Sequence, residues 1–268
     1  MSDKCAKENI YDKNGILLLG KGQRMTDTVI AKLKKLGSYK KEEQIRVDDK
    51  QSVATPPIAQ VFGERMNIRD ERVLRYPNKL LSTIIFDSKK KPWWIYVNAL
   101  SNYVDWLYTH SIDVAIISLM MAVELGYNEE ELWNIGLGAF LHDIGKLLIP
   151  KYIIQKPGLL NNMEMDYIRQ HCELGMSSLK PFRLPKACTD IVLQHHERLD
   201  GSGYPRRLKK DDICCNARIV MIADAFDAIT SGRPYKPVQE ISAALKMLRD
   251  DEEKYSQELV SLWEKILG

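Results

Sequence analysis

The chain has 268 residues, 45% hydrophobic and 28% charged, with a net charge of +3, the balance of an ordinary soluble globular protein with room for a full core. No apolar run reaches the length of a membrane span, since Ile16-Leu17-Leu18-Leu19 is stopped by Gly20-Lys21-Gly22, and the polar start Met1-Ser2-Asp3-Lys4 lacks a signal-peptide core. A cytoplasmic protein with no membrane segment is expected.

Charge is uneven along the chain. Residues 1–97 carry 20 basic and 12 acidic residues, a net of +8, and the remainder carries a net of −5. The two signs are interspersed and no aromatic-basic stripe is present, so the basic part reads as solvated surface rather than a nucleic-acid-binding arm. The five cysteines (Cys5, Cys172, Cys188, Cys214, Cys215) are odd in number and show no Cys-x-x-Cys spacing. They read as reduced thiols, not as a disulfide framework or zinc finger.

Residues 8–40 read as a small β-then-helix unit. Asn9-Ile10-Tyr11 and Ile16-Leu17-Leu18-Leu19 are expected strands joined by the turn Asp12-Lys13-Asn14-Gly15. Thr26 caps a helix whose apolar face is Val29, Ile30, Leu33 and Leu36, ended by Gly37. Thr55-Pro56-Pro57 and Lys89-Lys90-Lys91-Pro92 are breaks, and the domain boundary is placed at 92/93. From there the pattern is helical: 98–125 up to Gly126, 129–144 up to Gly145, 161–179 opened by an Asn161/Glu164 cap, 185–196, 214–230, 238–249 and 253–266. No strand is expected after residue 95. The expected fold class is mainly α: a helical domain (93–268) behind a small α/β N-terminal domain with its linker (1–92).

The five histidines are His110, His142, His171, His195 and His196. His142-Asp143 ends a buried helix, and His195-His196 repeats the tandem arrangement on another. Neighbours on a helix differ by about 100° in direction, so such a pair suits two cations side by side. His171 and Asp224 fall on otherwise apolar helix faces, where an isolated buried charge would be very costly. Imidazole nitrogens with carboxylate oxygens suit iron, manganese, zinc or nickel. Lys146 follows this cluster, and a lysine beside cations calls for an anion between them, which points to a phosphate site.

The motifs around these residues resemble the HD-GYP family, a branch of the HD-domain metal-dependent phosphohydrolases, over roughly residues 95–250. They are His110-Ser111, Leu141-His142-Asp143-Ile144-Gly145-Lys146, the loop from Ile149-Pro150 to Leu160, His195 through Gly203-Tyr204-Pro205, and Ile222 to Ser231 with Arg233-Pro234-Tyr235-Lys236. The resemblance implies an HD-type helical bundle that hydrolyses cyclic di-GMP to pGpG, and onward to GMP if a second cut follows. It implies two divalent metals, iron or manganese before zinc or nickel. His110, His142, Asp143 and Asp224 would hold one, His171, His195 and His196 the other, with Asp143 shared. Asp143 and Lys146 would be the catalytic pair, working with a hydroxide that bridges the metals. Lys146, Arg233 and Lys236 would contact the substrate beside the loop Gly203-Tyr204-Pro205.

Three departures from the family pattern matter. Trp106 stands where some members carry a glutamate that binds a third metal, Cys172 stands where proline usually follows the third histidine, and the arginine often found after the first histidine is absent. The alternatives are a catalytically weak module that binds cyclic di-GMP or a protein signalling partner, and a hydrolase of another cyclic dinucleotide.

Overall fold

The computed structural model describes residues 10–12, 17–19, 39–41, 62–63, 65–66, 68, 71–231 and 239–268. The chain divides into two compact units, Met1–Val61 and Phe62–Gly268. In the first, strands β1 (Ile10–Asp12), β2 (Leu17–Leu19) and β3 (Tyr39–Lys41) form an antiparallel sheet in the order β2-β1-β3. β1 and β2 fall where the sequence places a hairpin, whereas β3 was not foreseen. The expected helix after Thr26 lies outside the described residues.

The second unit is helical. Its helices are α1 (Glu71–Ser88), α2 (Trp94–Tyr103), α3 (Asp105–Glu124), α4 (Glu129–Leu141), the short α5 (Lys151–Ile154), α6 (Asn162–Arg169), α7 (His171–Leu179), α8 (Lys186–Gln194), α9 (Cys215–Thr230), α10 (Ile241–Asp250) and α11 (Gln257–Leu267). A 3-10 turn, Ile144–Leu148, follows α4. No strand follows residue 95 among the described residues.

The helical unit starts at Phe62, not at 93. Residues 62–92, assigned by sequence to the N-terminal domain and linker, instead contribute Phe62, Met66, Leu74, Leu81 and Ile84 to the core. Leu74, Leu81 and Ile84 give α1 an apolar face that packs on α3 and α4.

Helix α3 is the centre of the bundle and packs against α1, α2, α4, α9 and α11. It is long and apolar enough to cross a membrane by length and composition, contrary to the expectation that no segment would be. Most of that stretch is buried within the unit, as befits a helix that is apolar all round.

The expected helix over 98–125 is two helices. Val104 is buried in an extended conformation (φ −141°, ψ 124°), a conformation its β-branched side chain favours. Two capping boxes set other helix starts: Asn128 with Glu131 opens α4, and Asn161 with Glu164 opens α6. The helix expected to run from 161 to 179 is interrupted at Gln170, which separates α6 from α7.

Helix α4 ends at Leu141, earlier than expected, and the chain tightens into the 3-10 turn. Close packing accounts for the glycine there. A Cβ on Gly145 would lie 1.9 Å from the His171 carbonyl oxygen and 2.5 Å from the Gly175 nitrogen. Backbone meets backbone at that point, which brings His142-Asp143 up to α7.

Candidate metal centre

Five elements converge on one buried cluster. His110 comes from α3, His142 and Asp143 from the junction of α4 and its 3-10 turn, and His171 from the start of α7. His195-His196 follow α8, and Asp224 lies within α9. His110, His142, Asp143, His171, His195 and Asp224 are all buried, and His196 nearly so.

The ligand atoms fall into two groups, each close enough to share an ion. One is His110, His142 and Asp224; the other is Asp143, His171, His195 and His196. Asp143 links them. Its Oδ2 lies 3.3 Å from His142 Nε2 and 3.6 Å from His110 Nε2, while its Oδ1 lies 3.4 Å from His171 Nε2 and 3.9 Å from His195 Nε2. Asp224 spans the groups less symmetrically, with Oδ1 at 3.1 Å from His110 Nε2 and Oδ2 at 3.6 Å from His196 Nδ1.

Backbone geometry fixes the tautomers. The Nδ1 atoms of His142, His171 and His195 contact the carbonyl oxygens of Ala139 (2.7 Å), Ile168 (2.6 Å) and Ile191 and Val192 (both 3.1 Å). A carbonyl only accepts, so each Nδ1 carries the proton and donates it. In a neutral ring, Nε2 is then left with a lone pair facing the cluster.

Burial disfavours the charged forms of His171, His195 and His196. It lowers the His171 pKa to about 4. It also holds His195 and His196 well below the usual histidine range, with neighbouring imidazoles adding to the effect. Burial opposes the charged forms of Asp143 and Asp224. Their imidazole neighbours and, at Asp143, the Lys146 ammonium outweigh it and hold both carboxyls well below the carboxylate range.

This donor set fits metal ions. His171 Nε2 and His195 Nε2 approach to 3.2 Å, and two lone pairs at that distance repel unless a cation lies beside them. His142 Nε2 and Asp143 Oδ1 are buried without a hydrogen-bond partner, which is costly in the absence of a charge to satisfy them.

Lys146 donates to Asp143 Oδ2 at 2.6 Å and is buried, so it sits at the shared carboxylate. Tyr204 stacks on His196 with ring centroids 4.7 Å apart, and burial pushes its hydroxyl well above the usual tyrosine range. Gly203 is buried, and a Cβ there would lie 2.4 Å from the Arg198 nitrogen. Pro205 lines the cleft beside this loop together with Tyr204. Cys172 is a buried thiol whose pKa is raised by burial. Arg233 and Lys236 lie outside the described residues.

Three groups had no role in the sequence reading. Glu197 is fully buried and accepts from the backbone nitrogens of Arg206 (2.7 Å) and Leu208 (2.9 Å), which ties down the loop containing Gly203-Tyr204-Pro205. Its signal was an acid directly after two histidines. Asp227 accepts from His110 Nδ1 at 2.6 Å and so orients that ring from outside the cluster. Its signal was a carboxylate three residues after Asp224, on the same helix face.

Arg65 pairs with Asp227 at 2.8 Å and with Asp113 at 2.9 Å. Burial and the Asp227 charge push the Asp113 carboxyl up. Arg65 had no sequence signal, because it is separated from Asp227 by 162 positions.

The architecture is thus a helical domain built around a candidate metal centre of imidazoles and carboxylates. A profile of the HD domain matches residues 95–259. A cyclic di-GMP phosphodiesterase of Thermotoga maritima is 39% identical over 174 residues, covering 63% of this chain and 47% of its own length. Cyclic di-GMP phosphodiesterase PA4108 of Pseudomonas aeruginosa is 32% identical over 197 residues, covering 73% of this chain and 44% of its own length. The chain therefore spans about half the length of these curated relatives.

Among solved structures, Bd1817, an HDG"Y"P protein from Bdellovibrio bacteriovorus, is similar with a TM-score of 0.59 at 20% identity, covering 99% of this chain and 95% of that one. That likeness is one of fold. The chain belongs to the HD-domain family, in its HD-GYP branch.

Proposed function

We propose that this chain is a metal-dependent phosphodiesterase that opens cyclic di-GMP to linear pGpG. The observation that carries the reading is the Asp143 carboxylate, which turns one oxygen toward each of two histidine groups. His110, His142 and Asp224 would hold one divalent ion, His171, His195 and His196 the other, and Asp143 would serve both. Iron or manganese suits this nitrogen and oxygen donor set. Two such ions, when bound, supply an activated water and stabilise the charge that builds on phosphorus.

The protein's own groups do the rest. His142, His171 and His195 present Nε2 lone pairs, and Asp143 and Asp224 bring the negative charge that balances the cations. Lys146 binds and orients the phosphate to be cleaved. Tyr204, stacked on His196, shields one side of the cluster from water. Arg233 and Lys236 are assigned to the substrate's phosphates or guanine on the strength of the motif that contains them. The proposed setting is the cytoplasm, in keeping with thiols that form no disulfide among the described residues. The N-terminal unit is read as a small α/β domain open to a signalling partner.

The test is a substrate panel on metal-loaded protein, purified without oxygen. Cyclic di-GMP should be cleaved with the highest kcat/KM of the cyclic dinucleotides offered. Binding without turnover of any of them overturns the proposal in favour of a binding module. Preference for another cyclic dinucleotide overturns the substrate assignment.

A further inference from the structure

A cleft of about 130 Å³ opens beside the metal centre. Lys146, 2.6 Å from the shared carboxylate of Asp143, lines the cleft and also belongs to the site. Trp106, Ile154, Leu160 and Met165 supply apolar wall, and Lys156, already paired with Glu164, also lines the cleft. The volume is close to the roughly 150 Å³ in which a protein cavity holds benzene. That is room for about one six-membered ring, so a larger base extends beyond the cleft.

Trp106 lies one helical turn before His110, so the two share a face of α3. Their rings meet edge to face at 6.4 Å. Indole offers a single N–H donor and no ligand atom for a hard cation. What it offers is a flat apolar surface, partly exposed, next to a lysine at the cluster.

A nucleotide unit has the same two halves, a flat base and an anionic phosphate. We propose that Trp106 is the stacking platform for one nucleobase of the substrate, with Lys146 holding the adjoining phosphate. This inference rests on the reading of the centre as a cyclic dinucleotide phosphodiesterase. Every base has a π face, so such a platform supplies affinity rather than base identity. Loss of Trp106 should therefore weaken different cyclic dinucleotides alike.

The experiment measures KM, kcat and metal content for the metal-loaded full chain as wild type, Trp106→Phe, Trp106→Ala and Leu160→Trp. Stacking on an aromatic side chain corresponds to about five- to 150-fold in affinity. Trp106→Ala should raise KM for cyclic di-GMP about tenfold or more, with metal content unchanged. Trp106→Phe should stay within about threefold of wild type. Leu160→Trp, which fills the cleft from the loop side, should raise KM even if Trp106→Ala does not fold.

Unchanged KM in Trp106→Ala or Leu160→Trp overturns the subsite while leaving the proposed function intact. Loss of metal and kcat at constant KM also overturns it, since Trp106 would then only support His110. A wild type that cleaves no cyclic dinucleotide overturns the proposed function itself, and the subsite with it.

Discussion

At the scale of single residues, Asp143 carries the most weight, because each of its oxygens meets two histidines, one pair in each group. Asp143→Ala should lower metal content and abolish turnover together; full metal with full rate in the purified variant would contradict its shared role. Lys146 acts on the substrate in this account. Lys146→Ala should therefore keep the metals and lower kcat by something on the order of 10²-fold, the scale seen when one charge-stabilising donor is removed. Asp227 works through His110 Nδ1. Asp227→Ala should weaken metal binding about 10–100-fold, measured by competition with a chelator, while KM changes little once metal is saturating.

The seven residues that the structure brings together were legible as a set in the sequence because histidine is scarce in this chain and every copy fell in a motif or on an apolar helix face. Asp227 and Glu197 sat inside the same motifs, yet their work is to hold other groups in place. A sequence shows residue types at a spacing, not which nitrogen of which ring needs a proton acceptor. Arg65 was illegible for a simpler reason. It is separated from Asp227 by 162 positions, and no local pattern records so distant a pairing.

At the scale of elements, backbone-to-backbone contact decides how the centre is assembled. Gly145 has no room for a side chain against the His171 carbonyl and the Gly175 nitrogen. Gly145→Ala would push the 3-10 turn from α7 and part Asp143 from His171. The expected cost is at or above the upper end of the about 1–3 kcal/mol typical of overpacking, with reduced metal content. A thermal melt and elemental analysis of the variant check this, and an unchanged melting temperature would contradict it.

Helix identity was legible from apolar spacing and from the Asn161/Glu164 cap, but the breaks at Val104 and Gln170 were not. Apolar residues continue across both, so periodicity runs on where the backbone turns. The boundary at 92/93 missed for a related reason: α1 mixes charge with a narrow apolar face, and Lys89-Lys90-Lys91-Pro92 looks like a linker although the helix before it packs into the core.

At the scale of the whole molecule, the buried histidines make stability depend on pH and on metal. His171 titrates near 4 in the folded chain against an ordinary 6.5, because burial disfavours its charged form. As pH falls below 6.5 the unfolded chain takes up a proton that the folded chain refuses, so the unfolded state gains. Stability is thus fully present above about 6.5 and is lost as pH falls toward 4. Melting temperatures of chelator-treated protein across that window should decline steadily with acid. A flat profile would mean that the imidazoles are not held neutral. Metal binds the folded arrangement, so adding it at neutral pH should raise the melting temperature in a concentration-dependent way.

The most direct test of the central claim is a titration of metal-free protein with manganese, or with ferrous iron under nitrogen, while cyclic di-GMP turnover is recorded. A metal centre joined by Asp143 predicts no turnover without metal, and turnover that rises until a second equivalent is bound and is abolished by chelator. Full turnover by the metal-free chain, or full turnover at a single equivalent, would contradict it.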